Sequence, residues 1–252
     1  SKAEIGIDDI RGLQRIANLP PYEGKCKVFI IDDAEYLSTE AANSLLKILE
    51  EPPKSVVWLL LVAEQEHLLP TIISRCQRLE LKPVPSEQVQ EVLVSSHNVE
   101  TSRAKLLAQL CRGRLGWALS ALANYDILEQ RSQRIDRLVS LLTAGLSQRF
   151  AYAQELAGQF SQSRRTGAEV MEDWLDWWRD LMLMKGGCRE AIVNVDYQTV
   201  VEEQARGLSL SEIKAFLTSL CLLQDEISKN VNPRLALEWL MLNLPAKSSV
   251  KS

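Results

Sequence analysis

Two adjacent carboxylates, Asp32 and Asp33, close the short apolar run Lys27-Val28-Phe29-Ile30-Ile31. Acids at the carboxyl edge of a parallel strand lie where such sheets bind ligands. The first can help hold Mg²⁺ near phosphates and the second can orient an attacking water. The same pair also suits a turn or a helix N-cap, so the strand end by itself leaves both readings open. A working phosphate cradle would further need Gly-x-x-x-x-Gly-Lys-Ser/Thr after an early strand, so that backbone N–H groups and a lysine surround the phosphates. That string is absent, because Gly24-Lys25 precedes a strand and is followed by Cys26.

Metal and thiol chemistry find little support. Cys26, Cys76, Cys111, Cys188 and Cys221 are odd in number, far apart and without a Cys-x-x-Cys pair, and His67 and His97 are the two histidines beside them. No metal site or disulfide framework is expected, and the thiols read as buried and free. A length of 252 residues with 46% hydrophobic content supports one or two domains. The formal net charge of -4 argues against an electrostatic binder of nucleic acid or anionic membrane, so any DNA contact must be local. No apolar run approaches the roughly 20 residues of a membrane span, and Ser1-Lys2-Ala3-Glu4 carries no leader pattern, so the expected location is cytoplasmic. A start at Ser1, running within a few residues into a helical pattern, reads as a piece of a longer protein.

The elements that must position these residues follow from hydrophobic periodicity. Ile7, Ile10, Leu13, Ile16 and Ala17 predict a helix. Lys27 to Asp32 predicts a strand buried on both faces of a parallel sheet. Ser38 or Thr39 offers an N-cap for a helix with Ala42, Leu45, Leu46 and Leu49 on one stripe, stopped by Pro52-Pro53. A second strand at Val56 to Ala63, a short helix from about His67 to Ser74 and a third strand at about Gln77 to Leu81 complete a strand-helix-strand order. After the proline-punctuated linker Lys82-Pro83-Val84-Pro85-Ser86 the pattern turns all-α. Stripes at Val89 to Val94, Ala104 to Cys111 and Trp117 to Leu122 predict three short helices. Longer ones follow at Ile127 to Leu142, Phe150 to Phe160, Val170 to Met184, Val200 to Ala205, Leu210 to Ile227 and Leu235 to Leu244. Trp174 and Trp178 share a face with Val170 and Met171, which suits a packed core or an interface better than a binding site.

Longer strings carry more information than any single pair. Ile30-Ile31-Asp32-Asp33-Ala34-Glu35, then Asn43-Ser44-Leu45-Leu46-Lys47-Ile48-Leu49-Glu50-Glu51-Pro52-Pro53, then Ser74-Arg75-Cys76, and near the end Asn232-Pro233-Arg234-Leu235-Ala236-Leu237-Glu238, occur in this order. Together they resemble the clamp-loader branch of the AAA+ ATPases. The resemblance implies an α/β part followed by an all-α part: a partial AAA+ parallel sheet with flanking helices at 1–84, a three-helix lid at 85–124, a helical collar for oligomerisation at 125–246 and a disordered tail at 247–252. It further implies that Asp32 and Asp33 are a degenerate Walker B pair. Arg75, supported by Ser74 and Cys76, would act in trans on ATP held by a neighbouring subunit, where a permanently charged planar guanidinium stabilises the transferring phosphoryl group. An arginine pairing with a surface carboxylate is the simpler alternative. Cys76 reads as a small packed side chain, since no histidine lies beside it in sequence to activate it. Asn43 and Lys47, spaced i to i+4, would face DNA from the helix that links nucleotide and DNA in this family.

Departures from the active pattern decide which member of the branch is meant. Val62 and Ala63 stand where a polar sensor should end the second strand, and their side chains cannot bond a γ-phosphate. In Gly113-Arg114-Leu115-Gly116-Trp117-Ala118-Leu119 a glycine, Gly116, occupies the position of the second sensor arginine, with Arg114 out of register. By the same resemblance, Asp33 stands where active members of the family usually carry glutamate, which shortens the reach of the carboxylate. These losses fit a non-hydrolysing subunit of the delta-prime type, binding no cofactor alone, with ATP and Mg²⁺ held by its neighbour. The expected partners are gamma/tau and delta subunits, primed DNA through the assembly, and the sliding clamp. The alternatives are a gamma/tau-type ATPase lacking its P-loop segment, and a stand-alone DNA-binding protein of AAA+ descent.

Overall fold

The computed structural model describes residues 4–63, 65, 68–228 and 232–245. His67 and the tail at 247–252 lie outside the described residues. The chain divides into two compact units, meeting in sequence between Leu81 and Lys82.

In the first unit the two apolar runs become strands β1, Lys27–Ile31, and β2, Val56–Leu60. They pair in parallel, with Lys27 opposite Val56 and Ile31 opposite Leu60. Helix α1 spans Ile7–Ala17 and helix α2, Thr39–Glu50, connects the strands. The Ser38 hydroxyl accepts the Ala41 N–H at 3.0 Å and so satisfies one of the donors that every helix start leaves free. Pro52 follows two residues after the last turn of α2 and cannot continue it. A short helix α3, Pro70–Ile73, completes the unit. Ile10 of α1, Ala41, Ala42, Leu45 and Ile48 of α2, and Ile72 of α3 form one core with Ile31, against which Trp58 and Leu60 pack.

Two expectations need correction here. The sheet is covered on one face, not two: the alternate residues Val28, Ile30, Val57 and Leu59 are 54%, 60%, 43% and 43% exposed. The reason is that α1, α2 and α3 all contribute to a single core, on the face that carries Ile31, Trp58 and Leu60, so an uninterrupted apolar run overstated the cover. Gln77 to Leu81 forms no strand, and Leu79 and Leu81 are each 83% exposed. A strand needs a neighbour to receive its backbone bonds, and among the described residues β1 and β2 pair with each other alone.

The second unit is helical throughout its described residues. Helices α4, Ser86–His97, α5, Thr101–Leu110, and α6, Leu115–Ala123, enclose a small core of Val89, Leu93, Ala104, Leu107 and Ala118. Between α5 and α6, Gly113 has φ +77° and lies so close to Val84 that a Cβ there would fall 2.7 Å from the Val84 backbone. A side chain cannot fit, and the Val84 N–H bonds the Gly113 carbonyl at 3.0 Å. Helices α7, Asp126–Leu141, α8, Leu146–Gln162, α9, Arg164–Lys185, α10, Gln198–Gly207, α11, Leu210–Ser228, and α12, Pro233–Asn243, build a larger core. Trp174, Trp177 and Trp178 are buried at its centre, so the tryptophan cluster is core, and the Trp177 indole N–H donates to Gln204 at 2.9 Å.

Candidate functional site

At the carboxyl ends of β1 and β2 the chain turns sharply. Asp33 adopts the left-handed conformation, φ 53° and ψ 50°, and starts a single 3₁₀ turn at Ala34–Tyr36. Aspartate tolerates this region better than most residues, which gives Asp33 a turn-forming role in addition to any nucleotide role. The Ala34 N–H bonds the Leu61 carbonyl at 2.9 Å and the Leu61 N–H bonds the Ile31 carbonyl at 2.9 Å, locking the two strand ends together. Asp32 projects from this edge as an exposed residue. At the other strand end, Val62 and Ala63 offer no polar side chain, and the Ala63 backbone N–H donates to Glu35 Oε1 at 3.3 Å.

The second group gathers around Arg75. Ser74 caps α3, its hydroxyl donating to the Thr71 carbonyl at 3.0 Å, and the Arg75 N–H bonds Ile72 at 3.0 Å. The Arg75 guanidinium donates from Nη1 to the Thr71 carbonyl at 2.9 Å and to Ser74 Oγ at 3.3 Å, and from Nη2 to Glu50 Oε1 at 2.7 Å. The Arg75 and Glu50 side chains remain 35% and 52% exposed. The surface ion pair that arginine chemistry allows is therefore present, and Ser74 helps to hold the guanidinium. Glu50 is the residue that sequence reasoning missed at this site, because 25 residues separate it from Arg75. Its place beside Pro52-Pro53 in the quoted string was the available signal.

Cys76 is exposed, against the expectation of a packed side chain, because the segment after α3 pairs with no strand among the described residues. Desolvation by the nearby protein raises its thiol pKa, which opposes nucleophilic use. Burial of all five cysteines is likewise corrected. Cys111 is buried, whereas Cys26 precedes β1, Cys188 follows α9 and Cys221 lies on the outer face of α11, all three exposed. Asn43 and Lys47 are exposed on α2, one turn apart, on the face that also carries Glu50. Gly116 stands in the first turn of α6 with open space around it, and Arg114 is engaged with Glu172 at 2.8 Å. No helix among the described residues is long and apolar enough to cross a membrane.

Residues 1–85 match the family described as DNA polymerase III, delta subunit, and residues 126–245 match DNA polymerase III, delta subunit, C terminal. The delta-prime subunit of DNA polymerase III from Escherichia coli is 30% identical over 250 residues, covering 96% of this chain and 70% of that protein. The delta-prime subunit from Bacillus subtilis is 26% identical over 93% of this chain and 70% of its own length. The tau subunit from Bacillus subtilis is 30% identical over 81% of this chain, which spans 39% of that longer protein. By its identity to the Escherichia coli subunit over nearly its whole length, the chain belongs to the family of DNA polymerase III delta-prime subunits.

Proposed function

We propose that this chain is a clamp-loader subunit of the delta-prime type, which does not hydrolyse ATP itself and presents Arg75 to ATP and Mg²⁺ held by a neighbouring gamma/tau subunit. The observation that carries this reading is the half-exposed Arg75 guanidinium, anchored by Ser74 and Glu50, in a chain whose own sensor positions are Val62, Ala63 and Gly116. A permanently charged, planar group offered at the surface is what stabilisation of a transferring phosphoryl group across a subunit boundary requires. Asp32 and Asp33 are then remnants of a Walker B pair, and Asn43 and Lys47 face primed DNA in the assembled loader. Delta and the sliding clamp complete the set of partners, in the cytoplasm. The 1–84, 85–124 and 125–246 divisions take the roles of partial AAA+ domain, lid and oligomerising collar.

The test is reconstitution with active loader subunits and measurement of DNA-stimulated ATP hydrolysis. Arg75→Ala lowers turnover strongly, by up to about 10³-fold at the site it serves, while the complex stays assembled. Unchanged turnover sinks the trans-acting role, and loss of assembly makes Arg75 a structural residue. Similarity to the tau subunit favours a second reading, an ATP-hydrolysing gamma/tau-type subunit. Asp32→Asn with Asp33→Asn separates the two: the double variant leaves turnover of the complex unchanged under the first reading and lowers it under the second.

A further inference from the structure

Arg75 makes a one-point ion pair with Glu50, and the donor count shows what that acid can do. The Thr71 carbonyl, Ser74 Oγ and Glu50 Oε1 take three of the five N–H donors of the guanidinium. Among the described residues no other acceptor is bonded to it, so two donors remain for an incoming anion. Had the carboxylate gripped the fork with both oxygens, a phosphate would have to displace it, and Glu50 would inhibit. Contact through a single carboxylate oxygen leaves room for both partners, so the acid can orient the arginine without blocking it.

The local structure makes Glu50 a firm anchor. It is the last residue of α2, where the helix dipole already presents negative charge and an acid is unfavourable unless a cation lies close. Arg75 supplies that cation. Ile48, two residues before Glu50, and Ile72, three before Arg75, are buried in the same core, so both ends of the pair hang from one packed block. An arginine side chain otherwise gives up rotamer freedom when it is fixed on a phosphate. Holding it beforehand removes part of that cost from the reaction. Asn43, Lys47 and Glu50, at i, i+4 and i+7, share one exposed face of α2, so the same helix that would meet DNA carries the anchor of the arginine.

We propose that Glu50 is a positioning residue for Arg75, holding its guanidinium in the orientation that meets the neighbouring subunit's nucleotide. The inference rests on the trans-acting role of Arg75. In complexes assembled from full-length subunits, DNA-stimulated ATP turnover is measured for Glu50→Ala, Glu50→Gln, Arg75→Ala and the Glu50→Ala/Arg75→Ala pair, with Glu51→Ala as control. Glu50→Ala lowers kcat about two- to fivefold, the range set by a partly exposed ion pair. Glu50→Gln, which keeps an acceptor oxygen, recovers most of the loss, and Glu51→Ala matches the parent. In the Arg75→Ala background Glu50→Ala has no further effect. The proposal is overturned if Glu50→Ala equals or exceeds the parent, if its loss is the same in both backgrounds, or if it disperses the complex. If Arg75→Ala itself leaves turnover unchanged, the trans-acting role falls and takes Glu50 with it. A normal defect in Arg75→Ala beside a silent Glu50→Ala removes Glu50 alone.

Discussion

Where α7 and α12 end, their last carbonyls face one buried guanidinium. Arg149 is 4% exposed, and it donates to Leu141 at 3.1 Å, Leu142 at 3.4 Å and Leu244 at 2.6 Å. Helix carboxyl ends present orphan carbonyls and partial negative charge, so three oxygens from two helices take the place of a carboxylate partner. The residue thereby ties α12 to the end of α7, which sequence separation would leave independent. Arg149→Met keeps the volume but strips the donors, and it lowers the unfolding free energy by about 2–4 kcal/mol in a urea titration. Arg149→Lys recovers little, since one ammonium cannot span carbonyls on two helices. A loss below about 1 kcal/mol would mean that water satisfies these carbonyls equally well.

Helix α9 carries two faces with opposite physics. Trp174, Trp177, Trp178 and Leu181 point into the core, while Glu172, Asp173 and Asp176 meet arginines from elsewhere in the same unit: Arg112 lies 2.5 Å from Glu172 and 3.0 Å from Asp176, and Arg134 lies 2.5 Å from Asp173. One turn further on, Asp180 accepts the backbone N–H groups of Val193 and Asn194 at 3.0 and 2.7 Å. Desolvation pushes the Asp176 carboxyl up to about 6, Arg112 pulling against it and Asp180, Asp173 and Glu172 adding to it. An acid raised above its ordinary value of 3.8 favours the folded state less as pH rises from about 4 to about 6. Asp176→Asn therefore gains stability relative to the parent between pH 4.5 and pH 7.5, by about 2 kcal/mol, measured by urea unfolding at both values. A difference that stays constant with pH refutes the assignment. The tryptophan face was legible in the sequence because burial follows the helical period. The arginine partners were not, since Arg112 and Arg134 lie 60 and 39 residues from Glu172 and Asp173. The same limit hid Glu50 from Arg75, whereas Ser74-Arg75-Cys76 and the acids after β1 could be found because their residues are adjacent. Gln77 to Leu81 misled for the converse reason: alternation proposes a strand, but a ladder partner must exist to make one.

At the scale of the whole molecule, assembly needs a surface, and α12 supplies a candidate. Leu235, Trp239 and Leu242, at i, i+4 and i+7, form one stripe and are 62%, 45% and 59% exposed, while Leu237, Leu240 and Met241 on the opposite side are buried in the core. The helix is held independently of that stripe. Asn232 caps its start by accepting the Arg234 N–H at 3.0 Å, and Arg234 Nε bonds Glu238 Oε1 at 2.8 Å. Apolar side chains arranged this way have little effect on the fold when removed, so a collar role and a merely solvated face give different results. Trp239→Ala weakens association with gamma/tau subunits by about 2 kcal/mol or more, roughly 30-fold in Kd, as a buried aromatic anchor does at the centre of an interface. Its urea midpoint stays near that of the parent, because the ring contributes little to the core. Light scattering of mixtures with partner subunits reads the first effect and chemical unfolding the second. Unchanged association would refute the proposed role of this α12 stripe in assembly.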